Sequence, residues 1–339
     1  MVPLAADASL QLKTRMNRRA HMLGRFGLIL RSALPARFRV PFLFFAAALI
    51  SQPVLAVEPA PRADVPLLAS NLPSPRVEVR FGTDKVAECI VDTGSDVGVI
   101  NQQLSRGANS LGRTKVIVAG RRPLTMPVVE VRDVAVGAAS LNFVRFLVRD
   151  SSWSDPAYAM PCVLGGSFLD RFTVDVDFAT RRLRLYDRGT RINALIGAHA
   201  ANDYDLHARV SSGRIMLDVG VDGATTRAFI DTGWWQTSAN TELLEVLGIA
   251  DDDPRIRVDR TVLRSGKNLT TRLLDLGPIR IGNNTIPSVP VDVGDHAASY
   301  AERKRGPYLH VGADMLAGYR LLIDVAHRQA VLLPGQHDE

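Results

Sequence analysis

The sequence predicts an all-β protein made of two pseudo-symmetric lobes in one chain. The first reason is a succession of short runs rich in Val, Ile and Leu, such as Arg76–Phe81 and residues 172–178, separated by turn residues. Many short strands with frequent turns are typical of a small barrel or sandwich. Helices are expected to be few and short, at residues 241–247 and 167–171.

The second reason is an internal repeat, in which residues 165–186 align with residues 312–333 at one constant offset. The identical matched pairs are Gly165/Gly312, Leu169/Leu316, Asp177/Asp324, Ala179/Ala326, Arg181/Arg328 and Leu185/Leu332. Upstream, the segment CIVDTGSDVGVI matches AFIDTGWWQTSA. A repeat over this distance predicts two copies of one lobe, and the recurring aspartates Asp177 and Asp324 read as structural residues at strand ends.

The repeat divides the chain into five segments. The lobes are expected at residues 76–187 and 205–334, joined by a connector at residues 188–204. Residues 57–75 are rich in Pro and Ala and are interpreted as an exposed linker. Residues 1–56 are interpreted as a leader.

The leader has the order of a secretory signal peptide: a basic region, an apolar run at residues 40–50 and small residues up to Ala56. The apolar run is shorter than the roughly 20 residues that a membrane-spanning helix needs. We therefore expect cleavage after Ala56 and export to the periplasm or the extracellular space. The alternative is an uncleaved anchor at residues 40–56.

The net charge of +6 comes from this leader, which holds eight Lys and Arg residues against one acidic residue. The rest of the chain is close to neutral, so its charge favours no binding of nucleic acid. The chain has two cysteines, Cys89 and Cys162. In an exported protein they either form one disulfide or stay as two buried thiols, and the sequence leaves both readings open.

The chemistry is concentrated in two Asp-Thr-Gly motifs, Asp92-Thr93-Gly94 and Asp231-Thr232-Gly233, at matching positions of the repeat. Each follows three apolar or small residues, so each aspartate is expected at the end of a buried strand. The glycine permits a close approach of backbone, and the threonine can hydrogen-bond to its counterpart across a symmetry axis.

Two carboxyl groups at hydrogen-bonding distance cannot both be ionised cheaply, so one holds a proton and the other is charged. Such a pair can hold a water molecule. The charged member takes a proton from the water while the protonated member supports the carbonyl oxygen under attack. This chemistry requires no metal and no covalent intermediate.

On these motifs the chain resembles the retropepsin-like aspartyl proteases, in the tandem single-chain form found among bacterial exported proteins. The resemblance covers about residues 76–334 and includes an apolar-apolar-Gly segment in each lobe, residues 163–165 and 310–312. It implies that Asp92 and Asp231 are the catalytic pair. It further implies an interlock of Thr93 with Thr232, loops shaped by Gly94 and Gly233, and neighbouring segments that place Gly165 and Gly312 beside these loops.

Three residues near the motifs carry separate expectations. Ser95 follows the first motif, as the family pattern requires, and is expected to hydrogen-bond to the Asp92 carboxylate. Trp234 departs from the pattern and is expected to fill a substrate subsite or to hold the lobe closed. His310 stands where an apolar residue is expected; it either alters the titration of the aspartate pair or serves a structural role.

Flaps that close over a bound peptide would be β-hairpins between each motif and the later glycine segment. The candidate tips are residues 118–121, with Gly120, and residues 264–267, with Gly266.

These observations predict a monomeric aspartic endopeptidase that needs no cofactor or metal and that binds a polypeptide in extended conformation between its lobes. Contact with a membrane is expected only if the leader stays attached. The alternatives are a catalytically inactive peptide- or protein-binding module with the same fold, for which Trp234 is the best support, and a membrane-anchored scaffold.

Overall fold

The computed structural model describes residues 58–117, 123–149, 160–211, 214–262, 268–294 and 306–335, and they belong to one compact unit, Ala56–Glu339. The predicted signal peptide lies outside these residues. The described part of the chain consists mostly of strands, with four helices of four to six residues, so the predicted all-β class is confirmed. None of the helices in these ranges is long and apolar enough to cross a membrane.

The strands of the first half, in chain order, are β1 (Ala63–Pro66), β2 (Arg76–Phe81), β3 (Lys85–Val91), β4 (Gly98–Asn101), β5 (Asn109–Val116), β6 (Leu124–Val136), β7 (Ala139–Arg149), β8 (Cys162–Leu164), β9 (Phe172–Asp177) and β10 (Arg182–Asp187). Those of the second half are β11 (Arg209–Ser211), β12 (Arg214–Val221), β13 (Ala224–Ile230), β14 (Ser238–Ala239), β15 (Arg257–Val262), β16 (Asn268–Leu276), β17 (Ile279–Ile281), β18 (Asn284–Ile286), β19 (Val289–Val293), β20 (Tyr308–Val311), β21 (Tyr319–Asp324) and β22 (Gln329–Pro334). The helices are α1 (Gly166–Leu169), α2 (Ile192–Ile196), α3 (Ala198–Asp203) and α4 (Thr241–Val246).

A first sheet has the strand order β2-β3-β8-β4-β7-β6-β5. A second sheet has the order β15-β16-β19-β14-β20-β13-β12-β17-β18, with β11 paired to β12. In the first sheet β3 and β8 run parallel, and in the second β13 and β20 do the same. Each of these parallel pairs joins the strand before an Asp-Thr-Gly motif to the strand before a later glycine. The two motifs therefore have the same setting, one in each sheet.

A third sheet, with the order β1-β10-β9-β21-β22, takes strands from both halves, and we call it the joint sheet. Its central pairing joins β9 to β21, with Val176 opposite Leu321. Strand β9 is buried at all six positions although it contains Asp175 and Asp177. The Asp175 carboxylate, which is 0% exposed, accepts hydrogen bonds from Arg320 Nη2 at 2.7 Å and Nε at 3.0 Å. This ion pair compensates the burial of the charge and links the two halves.

The predicted linker at residues 57–75 is wrong for its central part. Strand β1 pairs along the edge of the joint sheet, where Ala63 lies opposite Leu185, and Ala63 is buried. Asp64 in β1 forms an ion pair with Arg182 at 2.6 Å. The Pro and Ala content concealed a strand, because the alternation of buried and exposed residues in β1 covers only four residues.

The hydrophobic core is continuous through all three sheets. Strand β2 shows how the sequence builds it: Val77, Val79 and Phe81 point inward, and the charged residues between them face outward. That alternation is the period of a strand with one buried face. Cys89 and Cys162 lie opposite each other in register on β3 and β8 and form a disulfide. The structure thus decides the alternative that the sequence left open.

The helices agree in part with the prediction. Helix α4 begins after Asn240, whose side chain accepts a hydrogen bond from the Leu243 N–H, as expected of an N-cap. Helix α1 occupies part of the second predicted helix. Helices α2 and α3 lie in the predicted connector, where no helix was expected.

Candidate active site

Each Asp-Thr-Gly motif begins where a central strand ends. The Asp92 N–H donates to the Leu164 carbonyl at 3.0 Å, and the Asp231 N–H donates to the Val311 carbonyl at 3.0 Å. These bonds continue the parallel pairing of β3 with β8 and of β13 with β20 by one residue. Each aspartate is therefore fixed at its backbone before the chain leaves the sheet.

The glycines of the two motifs bring the loops into contact. A Cβ atom added to Gly94 would lie 2.2 Å from the Asp231 Oδ2 atom, and one added to Gly233 would lie 2.3 Å from the Asp92 Cγ atom. No side chain fits at either position, because real carbon atoms do not approach that closely. The structure thus brings Asp92 and Asp231 together, close enough for each carboxyl group to shift the pKa of the other. We call them the aspartate pair.

Thr93 and Thr232 lie beneath the pair and are buried. The Thr93 N–H donates to Thr232 Oγ1 at 3.1 Å, and the Thr232 N–H donates to Thr93 Oγ1 at 3.2 Å. Each hydroxyl then donates to a carbonyl of the opposite half: Thr232 to Val91 at 2.7 Å, and Thr93 to Ile230 at 3.4 Å. These four bonds cross between the halves, so the interlock joins the two loops at the level of the backbone.

Gly165 and Gly312 pack against the backs of the two loops. A Cβ atom on Gly165 would lie 2.7 Å from the Ser95 carbonyl oxygen, and one on Gly312 would lie 2.7 Å from the Gln236 carbonyl carbon. The close approach allows the Gly166 N–H to donate to the Ser95 carbonyl at 2.8 Å. In the other half the Ala313 N–H donates to the Trp234 carbonyl at 2.8 Å. Both glycines therefore hold the loops that carry the aspartates.

Ser95 does not have the predicted side-chain role. Its hydroxyl donates to the Val97 carbonyl at 2.8 Å and not to the Asp92 carboxylate. The loop turns sharply enough that the hydroxyl reaches its own chain two residues further on. Ser95 supports Asp92 through its backbone N–H, as Gly94 does at 2.8 Å.

A second polar contact holds the loop in the second half, and the sequence reading missed it. The Asp314 carboxylate accepts hydrogen bonds from the Thr237 N–H at 2.8 Å and from the Thr237 hydroxyl at 2.7 Å. At the matched position of the first half, Ser167 Oγ accepts from the Gly98 N–H at 3.1 Å. Burial raises the pKa of Asp314. The repeat contained a signal for this contact, because Ser167 and Asp314 align at the same offset as Gly165 and Gly312.

His310 lies directly beside the aspartate pair. Its Nε2 atom is 3.0 Å from the Asp231 Oδ2 atom, and its side chain is 3% exposed. The imidazole stacks on Trp234, with ring centroids 5.5 Å apart and an angle of 18° between the planes. The sequence reading left the role of His310 open, and the structure places it in contact with a carboxylate of the pair.

The two aspartates differ in their electrostatics. Burial, the negative charge of Asp231 and the hydrogen bond between them raise the pKa of Asp92 well above its usual value. Burial also acts to raise the pKa of Asp231, but the hydrogen bond and charge of His310, with the bonds from Asp92 and the Gly233 N–H, outweigh it and lower that pKa. The Asp231 side chain keeps 13% of its surface exposed. One carboxyl group therefore favours the protonated form and the other the ionised form.

For the two candidate flaps, the structure describes the strands that flank the tips. Strands β5 and β6 form an antiparallel hairpin in the first sheet, and β15 and β16 form one in the second. The tips with Gly120 and Gly266 lie outside the described residues. The positions of these two glycines stay a prediction.

Within the ranges that the structure describes, no group of three or more His, Cys, Asp or Glu side chains is placed to hold a metal ion. Comparison with known proteins gives one family: residues 217–319 match the aspartyl protease family. The chain matches none of the curated proteins with which it was compared. The matched segment includes Asp231, Thr232, Gly233 and Gly312. The match supports the predicted resemblance to the retropepsin-like aspartyl proteases over the segment around Asp231, and the tandem exported form stays a prediction.

Proposed function

We propose that the protein is an aspartic endopeptidase that hydrolyses peptide bonds with a water molecule activated between Asp92 and Asp231. The observation that carries the proposal is the contact of the two Asp-Thr-Gly loops. Gly94 faces the carboxyl group of Asp231, and Gly233 faces that of Asp92. A pair of carboxyl groups held this way is what water activation without a metal requires.

The reaction needs one proton on the pair. The ionised carboxylate takes a proton from water, and the resulting oxygen nucleophile attacks the scissile carbonyl carbon. The protonated carboxyl group stabilises the developing charge on the carbonyl oxygen, and a proton passes to the leaving amine as the C–N bond breaks. The opposite pKa shifts of Asp92 and Asp231 support a pair in which Asp92 keeps its proton at pH values at which Asp231 is ionised.

The substrate we propose is a polypeptide in extended conformation. The hairpins β5–β6 and β15–β16 belong to the two sheets that carry the loops, and an extended chain can add main-chain hydrogen bonds to strands of this kind. Because one chain supplies both aspartates, a monomer is sufficient. The leader supports an exported protein that acts outside the cytoplasm.

The proposal is tested with the purified exported protein and the variants Asp92→Asn and Asp231→Asn, incubated with a peptide library from acid to neutral pH. A statine-type inhibitor is added in parallel. Asp187→Asn is the matched control, because it makes the same chemical change in an exposed ion pair with Arg62. We expect the control to cleave like the wild type.

We expect each variant of the pair to lose cleavage by at least about a thousandfold, since removing a member of a catalytic group that acts as a unit has effects of that size. The inhibitor should abolish the wild-type activity. A wild type that binds peptides but cleaves none would overturn the proposal and favour the peptide-binding module. Equal activity of Asp231→Asn and the control would exclude the shared mechanism.

A further inference from the structure

The two halves differ at one position beside the aspartate pair. Val163 lies two residues before Gly165, and His310 lies two residues before Gly312. In the parallel pairing Val163 is opposite Ile90, and His310 is opposite Phe229. The matched positions thus place an aliphatic side chain in one half and an imidazole in the other.

The imidazole changes the hydrogen bonding of Asp231. Asp231 Oδ1 accepts from the backbone N–H of Gly233 at 2.9 Å and of Trp234 at 3.2 Å, and its Oδ2 faces His310 Nε2 at 3.0 Å. A carboxylate can only accept, so Nε2 carries the hydrogen of this contact. Both oxygens of Asp231 therefore receive N–H donors. Among the described residues, the N–H donors to Asp92 come from the backbone of Gly94 and Ser95, and the Val163 side chain has no polar atom to offer.

The ring is held in this orientation by aromatic neighbours. Trp234 stacks on one face, and the ring centroids of Phe229 and Tyr308 lie 5.3 Å and 6.0 Å from that of the imidazole. His310 Nδ1 is buried and has no hydrogen-bond partner in the described part of the chain. A hydrogen on Nδ1 would be a buried donor without an acceptor, which is costly. The surroundings thus favour the tautomer with its hydrogen on Nε2, pointing at Asp231.

We propose that His310 is a positioning residue that keeps Asp231 as the ionised member of the aspartate pair, so that Asp231 is the base toward water and Asp92 is the acid toward the carbonyl oxygen. This assignment deepens the proposed peptidase function and rests on it. His310 acts through Asp231.

The other groups that could set the charge of Asp231 are few among the described residues. Asp92 lies opposite Asp231 on the loop after β3, and burial and the charge of Asp231 raise the pKa of Asp92. Tyr308, two residues before His310 on β20, touches the imidazole with its ring. Arg227 on β13 lies in register with Tyr308 and is exposed, and Asp314, after Gly312, is bound to Thr237. The depressed pKa of Asp231 agrees with the direct contact from His310.

The test compares carboxyl titrations by ¹³C NMR of the full exported protein labelled at Asp. In an Asp92→Asn background Asp231 titrates without its partner, and His310→Val converts the second half to the residue that the first half carries. We expect this second change to move the Asp231 midpoint upward by about one pH unit or more, as loss of an N–H donor to the ionised form does. His310→Gln keeps an N–H donor and should produce a smaller shift.

The matched control repeats His310→Val in an Asp231→Asn background and follows Asp92, whose midpoint should stay in place. An Asp231 midpoint that is unchanged by both His310→Val and His310→Gln would overturn the inference. If His310→Val fails to fold, the Asp231 midpoint is compared between the Asp92→Asn protein and the Asp92→Asn/His310→Gln protein. The weaker donor should shift this midpoint, whereas a merely structural His310 would leave it unchanged.

The pH dependence of peptide cleavage is a second, independent test of the role of His310. In proteins with an intact pair, His310→Val should move the acid limb of the kcat/KM profile to higher pH, because a higher pKa of Asp231 requires a higher pH for ionisation. If the wild type cleaves no peptide, the proposed peptidase function is wrong. The NMR titration still tests whether His310 keeps Asp231 ionised. Cleavage with an acid limb that does not move would defeat the inference and leave the function intact.

Discussion

Replacing Thr232 by Val removes two buried hydrogen bonds of the threonine interlock and keeps the shape of the side chain. The Thr93 N–H loses its acceptor at 3.1 Å, and the Val91 carbonyl loses a donor at 2.7 Å. Leaving a buried polar group without its partner costs about 1–3 kcal/mol. We therefore expect the free energy of unfolding to fall by about 3 kcal/mol. Thr93→Val should cost less, because the hydroxyl bond of Thr93 is long, at 3.4 Å.

The assay is urea denaturation followed by circular dichroism, with Thr232→Ser as the control. Serine keeps both hydrogen bonds and loses one methyl group, so it should cost at most about 1 kcal/mol. The double variant Thr93→Val/Thr232→Val should be destabilised more than either single variant, because each side chain makes two of the four bonds and the single changes remove different ones. The reasoning is refuted if Thr232→Val and Thr232→Ser have the same denaturation midpoint.

Two further predictions concern the first half. Cys89→Ala/Cys162→Ala should lower stability by about 4 kcal/mol, from the chain entropy that a disulfide across a sequence separation of 73 residues removes from the unfolded state; an identical midpoint for the oxidised wild type and this variant would contradict it. Burial and the negative charge of Asp96 raise the pKa of Asp170 to about 6. A raised carboxyl pKa makes the wild type lose stability as pH rises from about 4 to 6. Asp170→Asn should therefore be more stable than the wild type at pH 7 by roughly 1 kcal/mol, after allowance for solvent screening, and equally stable at pH 3. Thermal unfolding at both pH values measures this, and an equal difference at both would refute it.

The sequence contained most of the scaffold because its signals are local or repeated. The apolar run before Asp92 predicts a buried strand, and β3 ends one residue before that aspartate. The contact of Thr93 with Thr232 was implied by the resemblance to the aspartyl proteases, and the structure contains it. Helix α4 lies within the predicted residues 241–247, and the structure adds the cap at Asn240.

What the sequence did not reveal depends on contacts between distant segments. Strand β1 is too short for a periodic pattern, and its position depends on Arg182, which is far along the chain. The hydroxyl of Ser95 could reach either the carboxylate or its own backbone, and only the turn of the loop decides. His310 could be recognised as unusual in the repeat. Its contact with Asp231 depends on the parallel pairing of β20 with β13, and its orientation depends on the aromatic rings around it.

The two halves use equivalent backbone positions for different chemical purposes. Three residues before Asp92 and before Gly165, the first half has Cys89 and Cys162, which form a disulfide. The same positions in the second half are Ala228 and Leu309, which pair in register without a covalent link. The first half thus combines a covalent clamp with an aliphatic Val163. The second half replaces the clamp by packing and places an imidazole beside its aspartate. A pair of identical loops would leave the single proton equally shared, and these differences give the two carboxyl groups unequal surroundings. In the proposed reaction, the division of labour between an acid and a base is therefore set by side chains outside the Asp-Thr-Gly motifs themselves.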